Sequence, residues 1–300
     1  MFEYRRTDLA WEWSRDKGEC VEIDGTRRQV ASWENGDMET FCICTSEAAR
    51  RMGRPQGEYV SVRCGAMWKL DGEVSERLER VIARLLLRLI KKETERAPGG
   101  DLSVLIVGLG NEQITADALG PAAIKEVLVT RHLKEHEPEL FHRMGCCAVS
   151  ALVPGVLGQT GMEAADIVAG AVRRCHADVV IAVDALAAQN CERLAATVQL
   201  SNVGIEPGSG VGNHRAALNK SFLGVPVIAL GIPTVVDSST LVYDALCRAG
   251  ITDIDSDLRS ILDNGRRFYV SPREADEITR RSSQTVARAI NRALVGVAHA

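Results

Sequence analysis

VLIVGLGNEQITADALGP, residues 104–121, joins a continuous aliphatic run to a glycine break, a loop and the start of a helix. An apolar run without polar alternation describes a strand covered on both faces, and a glycine-rich turn into a helix describes one βα step of a parallel sheet. The same reading extends outward. Candidate strands lie at Ser103–Leu109, Ala148–Val153, Val179–Val183, Ala195–Leu200 and Val225–Gly231, and helical patterns fall near Asp117–His136, Gly161–Arg174 and Ser238–Ala249, with a last one near Pro272–Val297. This alternation predicts an α/β fold whose mainly parallel sheet is covered by helices on both faces.

Ahead of that core, residues 9–100 read as a mixed α+β section. Short β-like stretches near Cys20–Ile23, Phe41–Thr45 and Tyr59–Arg63 precede a helix over Glu73–Lys92. Its apolar residues Val74, Leu78, Val81, Ile82, Leu85, Leu86, Leu89 and Ile90 recur with the 3.6-residue period of a core-facing helix. Residues 101–250 form the predicted sheet core and 251–300 a helical tail.

The 300 residues carry 36 Lys and Arg against 40 Asp and Glu, a formal net charge of −4, and 46% are hydrophobic. That balance supports a sizeable core and gives no bulk electrostatic reason to bind nucleic acid or an anionic membrane. No apolar run reaches the ~18 residues of a membrane helix, and the start lacks a secretory apolar region, so a cytoplasmic location is expected. The nine cysteines are odd in number and hold no C-x-x-C pair, which predicts reduced, mostly buried thiols and no zinc ribbon.

Two acids stand out. Asp117 follows the glycine break beyond the carboxyl end of a strand, where open α/β sheets bind ligands; its alternative role is to complement the helix dipole. Asp184 ends the run DVVIAVD, residues 178–184. Two carboxyls at one sheet edge raise each other's pKa and suit general acid/base hydrolysis, though Asp184 could equally accept from neighbouring backbone amides. The dinucleotide fingerprint fails, because Gln113 occupies the place of its third glycine. His132 and His136, in the order H-x-x-E-H, match an inverted zinc-peptidase motif, but Pro138 follows at once and a solvated helix end fits better, so no metal is expected. The loop Pro207–Asn213 offers Gly208, Ser209 and Gly210 as an anion-binding nest or a plain turn, and Asp237 reads as a helix N-cap or a site residue.

These blocks resemble the germination protease family of spore-forming bacteria. The likeness rests on RTDLA (6–10), GN (110–111) with TADALGP (115–121), PGVLGQTGME (154–163), DALA (184–187), PGSGVGN (207–213) and GVPVIALGIPTVVD (224–237), in order along the chain. The resemblance implies an endopeptidase that degrades small acid-soluble spore proteins during germination, acts in the forespore and spore core, needs no cofactor and assembles as a homotetramer. It implies an aspartate pair at Asp117 and Asp184, with Asn111, Gly208, Ser209, Gly210 and Asp237 as substrate-binding candidates. It also implies a zymogen that cuts itself between Asp8 and Leu9, making residues 1–8 a propeptide and 9–300 one peptidase domain. Family members often carry Pro in place of Ala116 and a longer segment ahead of RTDLA. The expected fold is also similar to that of the endopeptidases that mature nickel hydrogenases, the alternative function; a noncatalytic binding module is a third.

Overall fold

The computed structural model describes residues 7–13, 15–16, 19–20, 23–206, 216–251, 255–264 and 268–296. Its strands are β1 (Arg15–Asp16), β2 (Glu19–Cys20), β3 (Thr26–Trp33), β4 (Gly36–Ile43), β5 (Gly57–Arg63), β6 (Ser103–Gly108), β7 (Ala148–Leu152), β8 (Val179–Ala188), β9 (Thr197–Ser201), β10 (Val227–Asp237) and β11 (Tyr269–Val270). Nine of them form one sheet in the order β3-β4-β5-β9-β10-β8-β6-β7, with β11 added to β10. β7, β6, β8 and β10 run parallel, as the aliphatic runs predict, and β9, β5, β4 and β3 continue the sheet antiparallel.

Along β6, Val104 and Ile106 enter one core while Leu105 and Val107 enter another, the two-residue period of a strand buried on both sides. On the first face lie the helices Gly72–Thr94, Leu119–Ile124 and Ala275–Leu294; on the second lie Ala164–Cys175 and Lys220–Leu223. The Gly72–Thr94 helix begins where Asp71 accepts from the Val74 amide at 2.8 Å, and it ends at Glu95 in the left-handed region. Its Leu78, Ile82, Leu86, Leu89 and Ile90 are fully buried, each contributing about 1.5–3 kcal/mol.

Several expectations change. The strands of the mixed front section extend the core sheet itself: β5 pairs with β9 and carries the β3–β4 hairpin into it. β3 escaped the sequence reading because its half-exposed surface carries Arg27, Arg28 and Gln29; it is fixed by pairing with β4 and by the Arg28–Glu39 ion pair at 2.6 Å. β9 is antiparallel to its neighbours, since the link from Ala188 to Thr197 is too short for a crossover helix. Asp184 lies inside its strand, because Ala185–Ala188 go on pairing with β10 beyond the level at which β6 stops. The helix expected over Asp117–His136 is three pieces, a 3-10 turn at Thr115–Asp117 and helices at Leu119–Ile124 and Arg131–His136. The Leu128 amide leaves the helical ladder to donate to Asn291, and Thr130 bridges to Cys147 and Val149. The cysteines are not mostly buried: of the eight whose side chains are described, Cys64, Cys146 and Cys147 are, whereas Cys44 and Cys191 are exposed, and none of the eight is in a disulfide. No described helix is long and apolar enough to cross a membrane.

Candidate active site

The sheet's alternation builds a cleft. Val60, Val62, Val198, Leu200 and Leu230 point into the core beneath the long helices, so their strand neighbours Tyr59, Gln199, Ser201, Ala229 and Gly231 face the other way and line a cavity of about 470 Å³. Asp184 reaches the same space from β8 and is 6% exposed. Its Oδ1 accepts from the Ala185 amide at 2.9 Å.

Asp117 enters from the turn after β6. Leu109 donates its amide to the Val183 carbonyl at 2.8 Å, so the glycine break stays pinned to β8 just before Asp184. Gly110 then takes φ +112°, and a Cβ there would stand 2.0 Å from the Asp117 carbonyl oxygen. The Asn111 amide donates to Asp117 Oδ2 at 2.8 Å. Thr234 and Thr279 hold the turn from behind, donating to the carbonyls of Ala116 and Thr115 at 2.6 and 2.9 Å. Both predicted carboxyls therefore line one cleft, Asp184 buried and Asp117 half-buried. Such a pair can take a proton from water and return one to a leaving group.

A third acid lines it too, Asp8 of the N-terminal segment. Its amide donates to the Ala187 carbonyl at 3.0 Å, and its Oδ2 accepts from the Ala187 amide at 2.9 Å. Leu9 is fully buried against Leu186, Ala188, Leu194 and Val236. Glu12 anchors the segment: its carboxylate accepts from the amides of Gln189 and Asn190 at 2.8 and 3.0 Å and from Thr7 Oγ1, and it pairs with Arg193 at 3.4 Å. Burial pushes the Glu12 pKa up, outweighing these donors. Arg54 lies over the Trp13 ring at 4.3 Å and donates to the Thr7 carbonyl at 2.9 Å.

A germination protease profile matches residues 7–248, which includes Asp8, Asp117, Asp184 and Gln199. The chain belongs to the germination protease family. It is 37% identical to the germination protease of Caldanaerobacter subterraneus subsp. tengcongensis and 39% identical to that of Clostridium perfringens, each over 96% of this chain and 94% of the relative. Against the germination protease of Priestia megaterium the identity is 46%, over 71% of this chain and 56% of the other. Among solved structures, the nickel-iron hydrogenase maturation protease HycI from Thermococcus kodakarensis is similar over 69% of this chain and 99% of its own, at 15% identity and a TM-score of 0.31, too low to decide a reaction.

Within this germination protease family fold, the other candidates scatter. Asn111 acts on Asp117 through its amide, while its side chain accepts from Gln159 Nε2 at 2.8 Å and from the Gln113 amide at 3.0 Å. Asp237 is outside the cleft lining and caps the Ser238–Arg248 helix, accepting from the amides of Ser239 and Thr240 at 2.9 and 3.3 Å. Gly208, Ser209 and Gly210 lie outside the described residues. His132 and His136 are exposed on the Arg131–His136 helix, with Glu135 paired to Arg131 at 3.1 Å. Among the described residues no three His, Cys, Asp or Glu gather as a metal site. Two features escaped the sequence: Glu12, whose partners Gln189, Asn190 and Arg193 lie more than 170 positions away, and Gln199, a cleft-lining polar residue alternating with Val198 and Leu200 in what reads as an ordinary half-exposed strand.

Proposed function

We propose that this chain is an endopeptidase that degrades small acid-soluble spore proteins during germination, with Asp117 and Asp184 activating the attacking water. The observation that carries this is the convergence of Asp117, Asp184 and Asp8 on one cleft in a chain of the germination protease family. One ionised carboxylate takes a proton from water as its oxygen adds to the peptide carbonyl carbon. The other, protonated, delivers a proton to the departing nitrogen as the C–N bond breaks. The two carboxyls exchange roles over a cycle, so one proton shared between them suffices.

The same reading makes the chain a zymogen that cuts its own Asp8–Leu9 bond, releasing residues 1–8, and acts as a homotetramer in the forespore and spore core. Its support is the position of Asp8 on the cleft wall and the likeness of RTDLA to the family's start. The test is to incubate purified protein with a small acid-soluble spore protein, map the cuts by mass spectrometry with and without a chelator, and follow the chain's own intact mass. Cuts after acidic residues that persist with chelator, together with a new Leu9 terminus, are expected. Intact substrate throughout overturns the reading, and cleavage that stops with chelator replaces the acid pair with a metal.

A further inference from the structure

We infer that Gln199 is a catalytic residue of this cleft, which grips the peptide main chain on both sides of the bond to be cut and polarises that bond's carbonyl. The inference rests on the endopeptidase reading above and adds to it a group outside the acid pair.

Gln199 is buried, 8% exposed, in the middle of β9. Its two amide atoms take different partners. Nε2 donates to the carbonyl of Asp8 at 2.7 Å, and Oε1 accepts from the amide of Ala10 at 2.6 Å. The partners fix the amide's orientation, because a carbonyl needs a donor and an N–H needs an acceptor. One side chain thus straddles Leu9, holding the chain extended by its backbone while Leu9 itself fills the apolar pocket of Leu186, Ala188, Leu194 and Val236. The carbonyl held by Nε2 belongs to the Asp8–Leu9 peptide bond.

The sheet register places this amide relative to the acids. Gln199 stands opposite Gly231, and Gly231 stands opposite Asp184. With adjacent strands about 4.8 Å apart, the Gln199 and Asp184 backbones are roughly 10 Å apart across a residue with no side chain. Side chains from both strands project into the same cleft.

In the step itself, water oxygen adds to the Asp8 carbonyl carbon and the C=O π pair moves onto its oxygen. The resulting oxyanion sits where Nε2–H already points, in a buried site where such a bond strengthens as charge develops. When the oxyanion collapses, the C–N bond breaks and the Leu9 nitrogen takes the proton that the acid pair removed from the water, so that one water and one peptide bond have become one carboxylic acid and one amine.

The test uses the full chain and two replacements, Gln199→Met, which has neither donor nor acceptor, and Gln199→Glu, which regains a donor only when protonated. The readout is the rate at which the Leu9 terminus appears, by intact mass at pH 7.5 and pH 5, with far-ultraviolet circular dichroism as the check on folding. Removing one such donor should slow processing by roughly 10²–10³-fold in both variants at pH 7.5. Acidification should restore the Glu variant relative to wild type and leave the Met variant slow, while hydrogen exchange at the Leu9 and Ala10 amides shows the segment still docked in the Met variant; protection lost in step with the rate would assign Gln199 a structural role and overturn the catalytic one. Processing by either variant within about threefold of wild type at pH 7.5 overturns the role of Gln199 while leaving the endopeptidase reading in place. So does a wild type that cuts added spore protein yet never trims itself. A wild type that cuts neither overturns the endopeptidase reading, and this inference falls with it.

Discussion

Gly231 stands directly across the parallel β8–β10 pair from Asp184, and its missing side chain keeps the cleft floor open between that acid and Gln199. A Cβ at this position would lie 2.6–2.9 Å from three carbons of Leu186, and Leu186 packs against Leu9. Gly231→Ala should therefore push Leu186 away from its N-terminal partner. Overpacking of this kind costs about 1–3 kcal/mol. Urea denaturation measures it, and self-processing should slow as Leu9 loses its seat. A variant equal to wild type in both respects would mean that Leu186 yields without cost.

Asp117→Asn and Asp184→Asn should each lower peptide hydrolysis by roughly 10²–10⁴-fold, the usual contribution of a general acid or base. Both changes keep the shape and one acceptor oxygen for the Asn111 and Ala185 amides, so circular dichroism and melting should stay close to wild type. Turnover within tenfold of wild type in either variant would remove that carboxyl from the reaction.

Glu12 makes docking of the N-terminal segment pH-dependent. Its pKa is raised by burial, so over the interval above the ordinary carboxyl value the docked segment binds more protons than the released one. Docking is then strongest at acid pH and weakens as pH rises through the raised value, where a buried carboxyl must ionise. Hydrogen exchange at the amides of Leu9 and Ala10 should show greater protection at pH 5 than at pH 7.5. Glu12→Gln should flatten that difference; an equal slope in the variant would assign the effect to another group.

Replacing His132 and His136 together by Ala should change turnover less than twofold, because both side chains are exposed at a helix end. Elemental analysis of active wild-type protein should find no stoichiometric zinc. Joint loss of activity and bound zinc in the double variant would restore the metallopeptidase reading of that motif.

Much of the parallel half of the sheet was legible because burial on both faces leaves a mark on composition: the aliphatic runs at 104–107, 179–183 and 227–230 have few other stable placements. The long helices at 72–94 and 275–294 announced themselves by period. The antiparallel half was less legible. β3 and β9 mix polar with apolar residues, and only their partners tell which face is covered. Asp117 and Asp184 were each visible as acids near a glycine break or a strand, whereas Asp8 stood out only through the likeness of RTDLA to the family.

By itself, then, the sequence determined the α/β class, the two catalytic candidates and the family, since these depend on local patterns: apolar periodicity, glycines that permit tight turns, and acids held at fixed offsets from them. Tertiary structure decided what those residues share. Only pairing of β9 with β5 and β10 turns Gln199 toward Asp184, and only docking of residues 7–13 onto Ala187, Gln189 and Asn190 brings Asp8 to the cleft wall. The first depends on which strands become neighbours and the second on a contact between positions more than 170 residues apart, and the order of residues along one strand names neither partner.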